Sequence, residues 1–127
     1  MCAPDQYILV VDDDESIRDA LCEVLADLGH NAECVSNGKE ALERLSRGTL
    51  PQLVLLDLMM PVMDGWAFRE RQLADPRLAG LPVYVLTAAG RHVRPSPVET
   101  EFLLTKPIGL APLEAVLNRH CQGRPAA

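Results

Sequence analysis

The sequence predicts an α/β domain in which helices cover both faces of a parallel sheet, and three observations carry that expectation. Tyr7 to Val11, Leu53 to Leu56 and Pro82 to Leu86 are apolar runs without alternation, which reads as strands buried on both faces. Between them lie segments with apolar residues at helical spacing, and parallel strands joined by short connections need such covering elements. Each run also ends abruptly in a polar side chain, at Asp12, Asp57 and Thr87. Sheets of this kind hold their ligands beyond the carboxyl ends of the strands.

A chain of 127 residues suits one core and is short for two domains. Apolar residues make up 48% and charged residues 24%, as in an ordinary soluble globular protein, and the few aromatics leave Leu, Val and Ala to fill the core. A formal net charge of -6 with scattered Lys and Arg argues against direct contact with a nucleic-acid backbone. Cys2, Cys22, Cys34 and Cys121 show no C-x-x-C pair or Cys/His ligand spacing. A zinc site is therefore not expected, and reduced, partly buried thiols in a cytoplasmic setting are. No apolar run approaches the ~18 residues that a membrane span requires, and no signal peptide precedes Tyr7.

After Val11 come Asp12, Asp13, Asp14 and Glu15, and from Ser16 apolar residues recur at Ile17, Leu21, Val24, Leu25 and Leu28 before Gly29. This is the first helix, with Gly29 as its stop. Asp14 and Glu15 suit caps and dipole partners at its start. Asn31 to Val35 is read as a short edge strand. Asn37 and Gly38 open a second helix along Ala41, Leu42 and Leu45, closed at Gly48. Pro51 leads into the strand that delivers Asp57, and an Asp64-Gly65 turn precedes a third helix from Trp66 to Ala74. Asp75-Pro76 ends that helix, since the residue before proline resists helical geometry. Between Ala88 and Thr100 the pattern weakens, because Pro95 and Pro97 would each cost ~3 kcal/mol inside a helix. A fourth helix there is expected to be shortened or missing. Glu101 to Leu104 is read as the last strand, ending at Lys106-Pro107, and Leu110 to Cys121 as the last helix, with 123–127 as tail.

Asp12, Asp13, Asp57, Thr87 and Lys106 thus all fall at carboxyl ends of strands, where they converge on one shallow site. Three carboxylates this close repel one another by several kcal/mol at intermediate dielectric, which favours a bound divalent cation or a raised pKa. Oxygen ligands without His or Cys point to Mg²⁺, which keeps several waters and completes its shell with phosphate oxygens. With the cation and a lysine neutralising a phosphoryl group and a threonine hydroxyl donating to it, a carboxylate can attack phosphorus in line. Asp57, centred among the others, is the expected nucleophile. The alternative for Asp57 taken alone is a turn cap.

Four motifs carry a family resemblance: VVDDD at 10–14, LLDLMMPVMDG at 55–65, LTA at 86–88 and TKPI at 105–108. Together they resemble the receiver domain of bacterial two-component response regulators, in the same order and over essentially the whole chain. The resemblance implies a flavodoxin-like three-layer sandwich of five parallel strands in the order 2-1-3-4-5. It makes Asp57 the phosphoacceptor, with Asp12, Asp13, Asp57 and the backbone carbonyl of Met59 around Mg²⁺. Thr87 takes the switch hydroxyl and Lys106 the phosphoryl-binding lysine, next to a peptide bond to Pro107 that can be cis. It further implies a stand-alone receiver over 1–127, without an output domain, that accepts phosphate from a histidine kinase or phosphotransfer protein. Such a receiver signals by protein–protein contact as a monomer or phosphorylation-dependent dimer, without nucleic acid or membrane as direct partner, and catalyses only its own phosphorylation and dephosphorylation. Two other readings are a pseudo-receiver that binds without phosphorylation and a Mg²⁺ phosphohydrolase built on Asp12-x-Asp14-x-Ser16. The latter lacks a later acidic pair, since Glu114 is the one acidic side chain after Lys106.

Two departures from the family pattern concern read-out. The family's aromatic three residues before the lysine is here Leu103, while Phe102 stands one residue early, and on a strand that offset points to the opposite face. In the family, the positions two residues past the phosphoacceptor and the switch hydroxyl influence how readily water reaches the phosphoryl group; here they are Met59 and Ala89, both apolar, with ordinary loop packing as the other reading of these two side chains. We therefore expect an aspartyl phosphate with a half-life of minutes or longer, read by intact mass after the donor is removed; decay within seconds would contradict it.

Overall fold

The computed structural model describes residues 6–58, 62–88, 103–106 and 108–120, with the backbone alone at Thr87, Ala88, Thr105 and Lys106. Its elements follow in the order β1 (Ile8–Val11), α1 (Glu15–Asp27), β2 (Ala32–Val35), α2 (Gly38–Leu45), β3 (Leu53–Asp57), α3 (Gly65–Ala74), β4 (Val83–Ala88), β5 (Leu103–Lys106) and α4 (Leu110–His120). The five strands form one sheet in the order β2-β1-β3-β4-β5, every neighbouring pair parallel. This is the doubly wound fold expected from the apolar runs, with β2 at an edge as its weak pattern suggested. The fourth-helix segment lies outside the described residues. Among those described, no helix is long and apolar enough to cross a membrane.

Strand alternation divides the core between two faces. Tyr7, Leu9, Val11, Val54, Leu56, Val83 and Val85 pack with Ala41 and Leu45 of α2 and Trp66 and Phe68 of α3. Their neighbours Ile8, Val10, Leu53, Leu55, Tyr84 and Leu86 pack with Leu21 and Leu25 of α1 and Leu113, Val116 and Leu117 of α4. Because β1 and β3 are covered on both sides, every residue in them is buried, and that is why their sequences run apolar without alternation.

Helix starts follow local chemistry. Asp14 caps α1, accepting from the Ser16 and Ile17 amides at 2.9 and 3.3 Å; Asn37 caps α2 and Asp64 caps α3 in the same way. These acceptors satisfy amides that have no partner inside a helix. At the end of α1 the chain turns through Gly29 at φ 89°, a conformation that favours glycine.

Two expectations need correction. Strand β4 runs to Ala88, one residue past the expected end at Thr87, while β5, described over Leu103–Lys106, ends at Lys106 as expected. Pairing of Thr87 with Thr105 and of Ala88 with Lys106 explains this, since a ladder continues wherever backbone partners exist. The thiols of Cys22 and Cys34, expected to be reduced, are joined as a disulfide between α1 and β2. Spacing in sequence does not reveal that a helix face and an edge strand meet. Cys2 and Cys121 lie outside the described residues.

On the α4 side the Tyr84 hydroxyl stands 2.8 Å from His120 Nε2 and also receives Arg119 Nη1 at 3.4 Å. Burial, and then the Arg119 guanidinium, hold the His120 imidazole below its ordinary pKa. A base with a depressed folded pKa binds fewer protons than the unfolded chain, so its contribution is full above about pH 6.5 and is lost as pH falls through the folded value. Thermal unfolding followed by circular dichroism from about pH 7.5 to about pH 5.5 should show a larger loss of Tm in the parent than in His120→Gln.

Candidate functional site

The parallel register that builds the sheet also builds the site. Val11 pairs with Leu56 and Asp57 with Leu86, so Asp12, one residue past β1, emerges beside Asp57, the last residue of β3. The carboxylate oxygens of Asp12, Asp13 and Asp57 lie within 4.8 Å of one another, with Asp12 and Asp57 buried and Asp13 exposed. Asp12 is 0% and Asp57 7% exposed, so the cluster has a dry floor and a wet rim. Neighbouring charges at this separation repel by about 3 kcal/mol per pair at an effective dielectric near 20. The arrangement is unfavourable without a compensating positive charge or proton.

Several groups hold the acids in place. The Asp14 amide donates to Asp12 Oδ1 at 2.9 Å, and the Asp12 amide donates to the Val35 carbonyl at 3.2 Å. Arg18 reaches back from the first turn of α1 to donate Nη1 to the Asp12 carbonyl at 2.8 Å. Sequence reading did not single out Arg18. Its one clue is position, since six residues after Asp12 places it on the helix turn that follows the acidic run.

Below Asp57 the loop is clamped by close approach. Gly65 donates its amide to the Leu58 carbonyl at 2.9 Å, and Gly38 donates to the Met63 carbonyl at 2.9 Å, so the starts of α2 and α3 both dock on the β3–α3 connection. A Cβ on Gly65 would stand 2.8 Å from Leu58 Cα and 2.9 Å from the Asp57 carbonyl oxygen. That is backbone, which cannot swing aside. The capping role at the start of α3 falls to Asp64, which leaves the Asp57 carboxylate to the acidic cluster.

Thr87 and Lys106 lie near the carboxyl ends of β4 and β5, at the same edge of the sheet as Asp57. Their side chains, like Met59, Ala89, Phe102 and Pro107, lie outside the described residues. Leu103, at the position where the resemblance calls for an aromatic, is partly buried against the α2 and α3 side of the core, while Leu104 faces the α1 and α4 side.

Residues 8–118 match the family described as the response regulator receiver domain. The chain belongs to that family. Among relatives, an uncharacterized 14.6 kDa protein of Leptolyngbya boryana is 38% identical over 121 residues, covering 93% of this chain and 92% of that one. Response regulator Rre1 of Synechocystis is 33% identical over 115 residues, and the chain spans 49% of its length. The signal receiver domain of a signal transduction histidine kinase from Syntrophus aciditrophicus superposes with a TM-score of 0.79 at 30% identity, covering 96% of each chain. Receiver domains are signalling domains that interact with histidine kinases or phosphotransfer proteins. The order 2-1-3-4-5 implied by the receiver resemblance is the order found.

Two substitutions test the clamp on this receiver's Asp57 loop. Gly65→Ala should destabilise by about 1–3 kcal/mol, as overpacking against fixed backbone does, and urea unfolding measures it. Val62 sits at φ 68° with 77% of its surface exposed, so a β-branched residue bears left-handed backbone strain with little packing in return. Val62→Asn should raise stability by about 1 kcal/mol in the same measurement.

Proposed function

We propose that this receiver takes a phosphoryl group on Asp57 in a Mg²⁺-dependent reaction and signals through contacts with other proteins. The observation that supports this most directly is the buried carboxylate of Asp57 beside Asp12 and Asp13, with all three oxygens within 4.8 Å. An all-oxygen donor set without His or Cys suits a hard cation such as Mg²⁺. Asp12, Asp13, Asp57 and the Met59 backbone carbonyl would hold it. When bound, Mg²⁺ supplies the positive charge that lets a phosphoryl donor approach three acids.

The residues of the chain then divide the work. An Asp57 oxygen attacks phosphorus in line, forming the acyl phosphate as the bond from phosphorus to the donor's leaving group breaks and its electrons depart with that group. Burial of the Asp57 carboxylate limits access of competing water. The Lys106 ammonium and the Thr87 hydroxyl are assigned to the phosphoryl oxygens, from strand ends at the same edge of the sheet. Arg18 and the Asp14 amide position Asp12 and do not touch the phosphoryl group. A histidine kinase or phosphotransfer protein is the proposed donor.

Incubation with a small acyl phosphate and Mg²⁺, followed by intact mass, tests the reading. One phosphoryl adduct is expected on the parent and none on Asp57→Ala or after chelation of Mg²⁺. Adducts on both proteins would move the chemistry elsewhere, and adducts on neither would favour a module that binds without phosphorylation. Separately, Asp13→Asn should weaken Mg²⁺ binding by about tenfold or more in titration calorimetry, because it removes one of the three charges.

A further inference from the structure

We infer that Cys22 and Cys34 form a reversible thiol–disulfide exchange site that fastens α1 to the edge strand of the sheet. The two sulfurs are bonded in the structure across 12 residues of sequence, and both residues are partly buried where α1 packs on the sheet. Their Cα atoms stand 7.2 Å apart, beyond the roughly 4.4–6.8 Å that disulfides usually span. The open form is provided for as well: Cys34 Sγ lies 3.8 Å from the Arg18 carbonyl oxygen, an acceptor for the thiol proton once the sulfur is reduced.

The place in the fold gives the bond its effect. Among the described residues strand β2 pairs only with β1, and none of its four residues is fully buried. Glu33 on one face of β2 is held by Arg44 of α2 at 2.6 and 3.1 Å. Ala32 and Cys34 on the other face look toward α1. An exposed ion pair stabilises little, so the Cys22–Cys34 bond is the stronger of the two cross-ties on the least buried strand.

A balanced exchange uses a low-molecular-weight disulfide such as glutathione disulfide. One protein thiolate attacks a sulfur of the reagent, the reagent's bond breaks, and one glutathione leaves as a thiolate. The second protein thiolate then attacks the mixed disulfide and releases the other glutathione. Two protein thiols are oxidised, one glutathione disulfide is reduced to two glutathiones, and the two protons pass to the departing thiolates or to buffer.

The test is independent of phosphoryl chemistry. A Cys2→Ser/Cys121→Ser chain and the same chain with Cys22→Ser are equilibrated under native conditions with glutathione disulfide or with excess glutathione. The first should lose two hydrogens in intact mass, give a non-reducing peptide map linking Cys22 to Cys34, and revert in glutathione. Its bridged form should melt about 5–10 °C above its reduced form, with slower amide exchange in α1 and β2 and unchanged exchange in α4, whereas the Cys22→Ser chain should show none of these shifts. Two thiols that stay free, a glutathione adduct that does not resolve to the bridge, a bridge that forms or opens only in denaturant, or an oxidised form no more stable than the reduced one would each overturn the inference.

Discussion

Two carboxylates, Asp12 and Asp57, are buried side by side at the ends of strands that are otherwise wholly apolar, and most of the local structure can be understood as tolerating them. A buried charge is costly unless it is paired or hydrogen-bonded. The fold answers with directed hydrogen bonds to Asp12, from the Asp14 amide to its carboxylate and from Arg18 to its carbonyl. Repulsion among three neighbouring carboxylates is the property that a bound cation would relieve.

Helix starts complete the frame. Asp14, Asn37 and Asp64 cap three helices whose first turns lie at the carboxyl end of the sheet, so their positive dipole ends face the acids. The β3–α3 connection is gripped from both sides, by the Gly65 amide on Leu58 and the Gly38 amide on Met63. The described ends of this connection, Leu58 and Met63, are thus tied to the first residues of α3 and α2. That coupling is geometric and owes nothing to which side chains line the surface.

Much of this was legible in the sequence, for a physical reason. Strands covered on both faces must be apolar throughout, so a polar residue ending such a run is conspicuous, and Asp12, Asp57 and Thr87 were found that way. The cap of α1 at Asp14 was legible because few residue types can serve, whereas Asp64 was read as a turn residue and caps α3. What was not legible depends on distance across the fold. The approach of Gly65 to Asp57, the reach of Arg18 to Asp12 and the meeting of Cys22 with Cys34 leave no periodic trace. The last residue of β4 was missed because composition registers burial, whereas pairing follows the backbone. The strand order itself came from resemblance, since periodicity says which segments are strands and not which are neighbours.

The first helix is where these separate features converge. Its N-terminal acid caps it, its Arg18 side chain holds the Asp12 carbonyl, its Arg18 carbonyl faces Cys34, and its Cys22 is bonded to that same cysteine. Arg18 therefore touches the acidic site with its side chain and the edge strand with its backbone. A single hydrogen bond of this kind contributes about 1 kcal/mol, which sets the scale of any influence passing between the bridge and Asp12 along this route. Influence of that size changes an equilibrium several-fold without switching it fully. The register of β1 and β3 determines where the acidic site is.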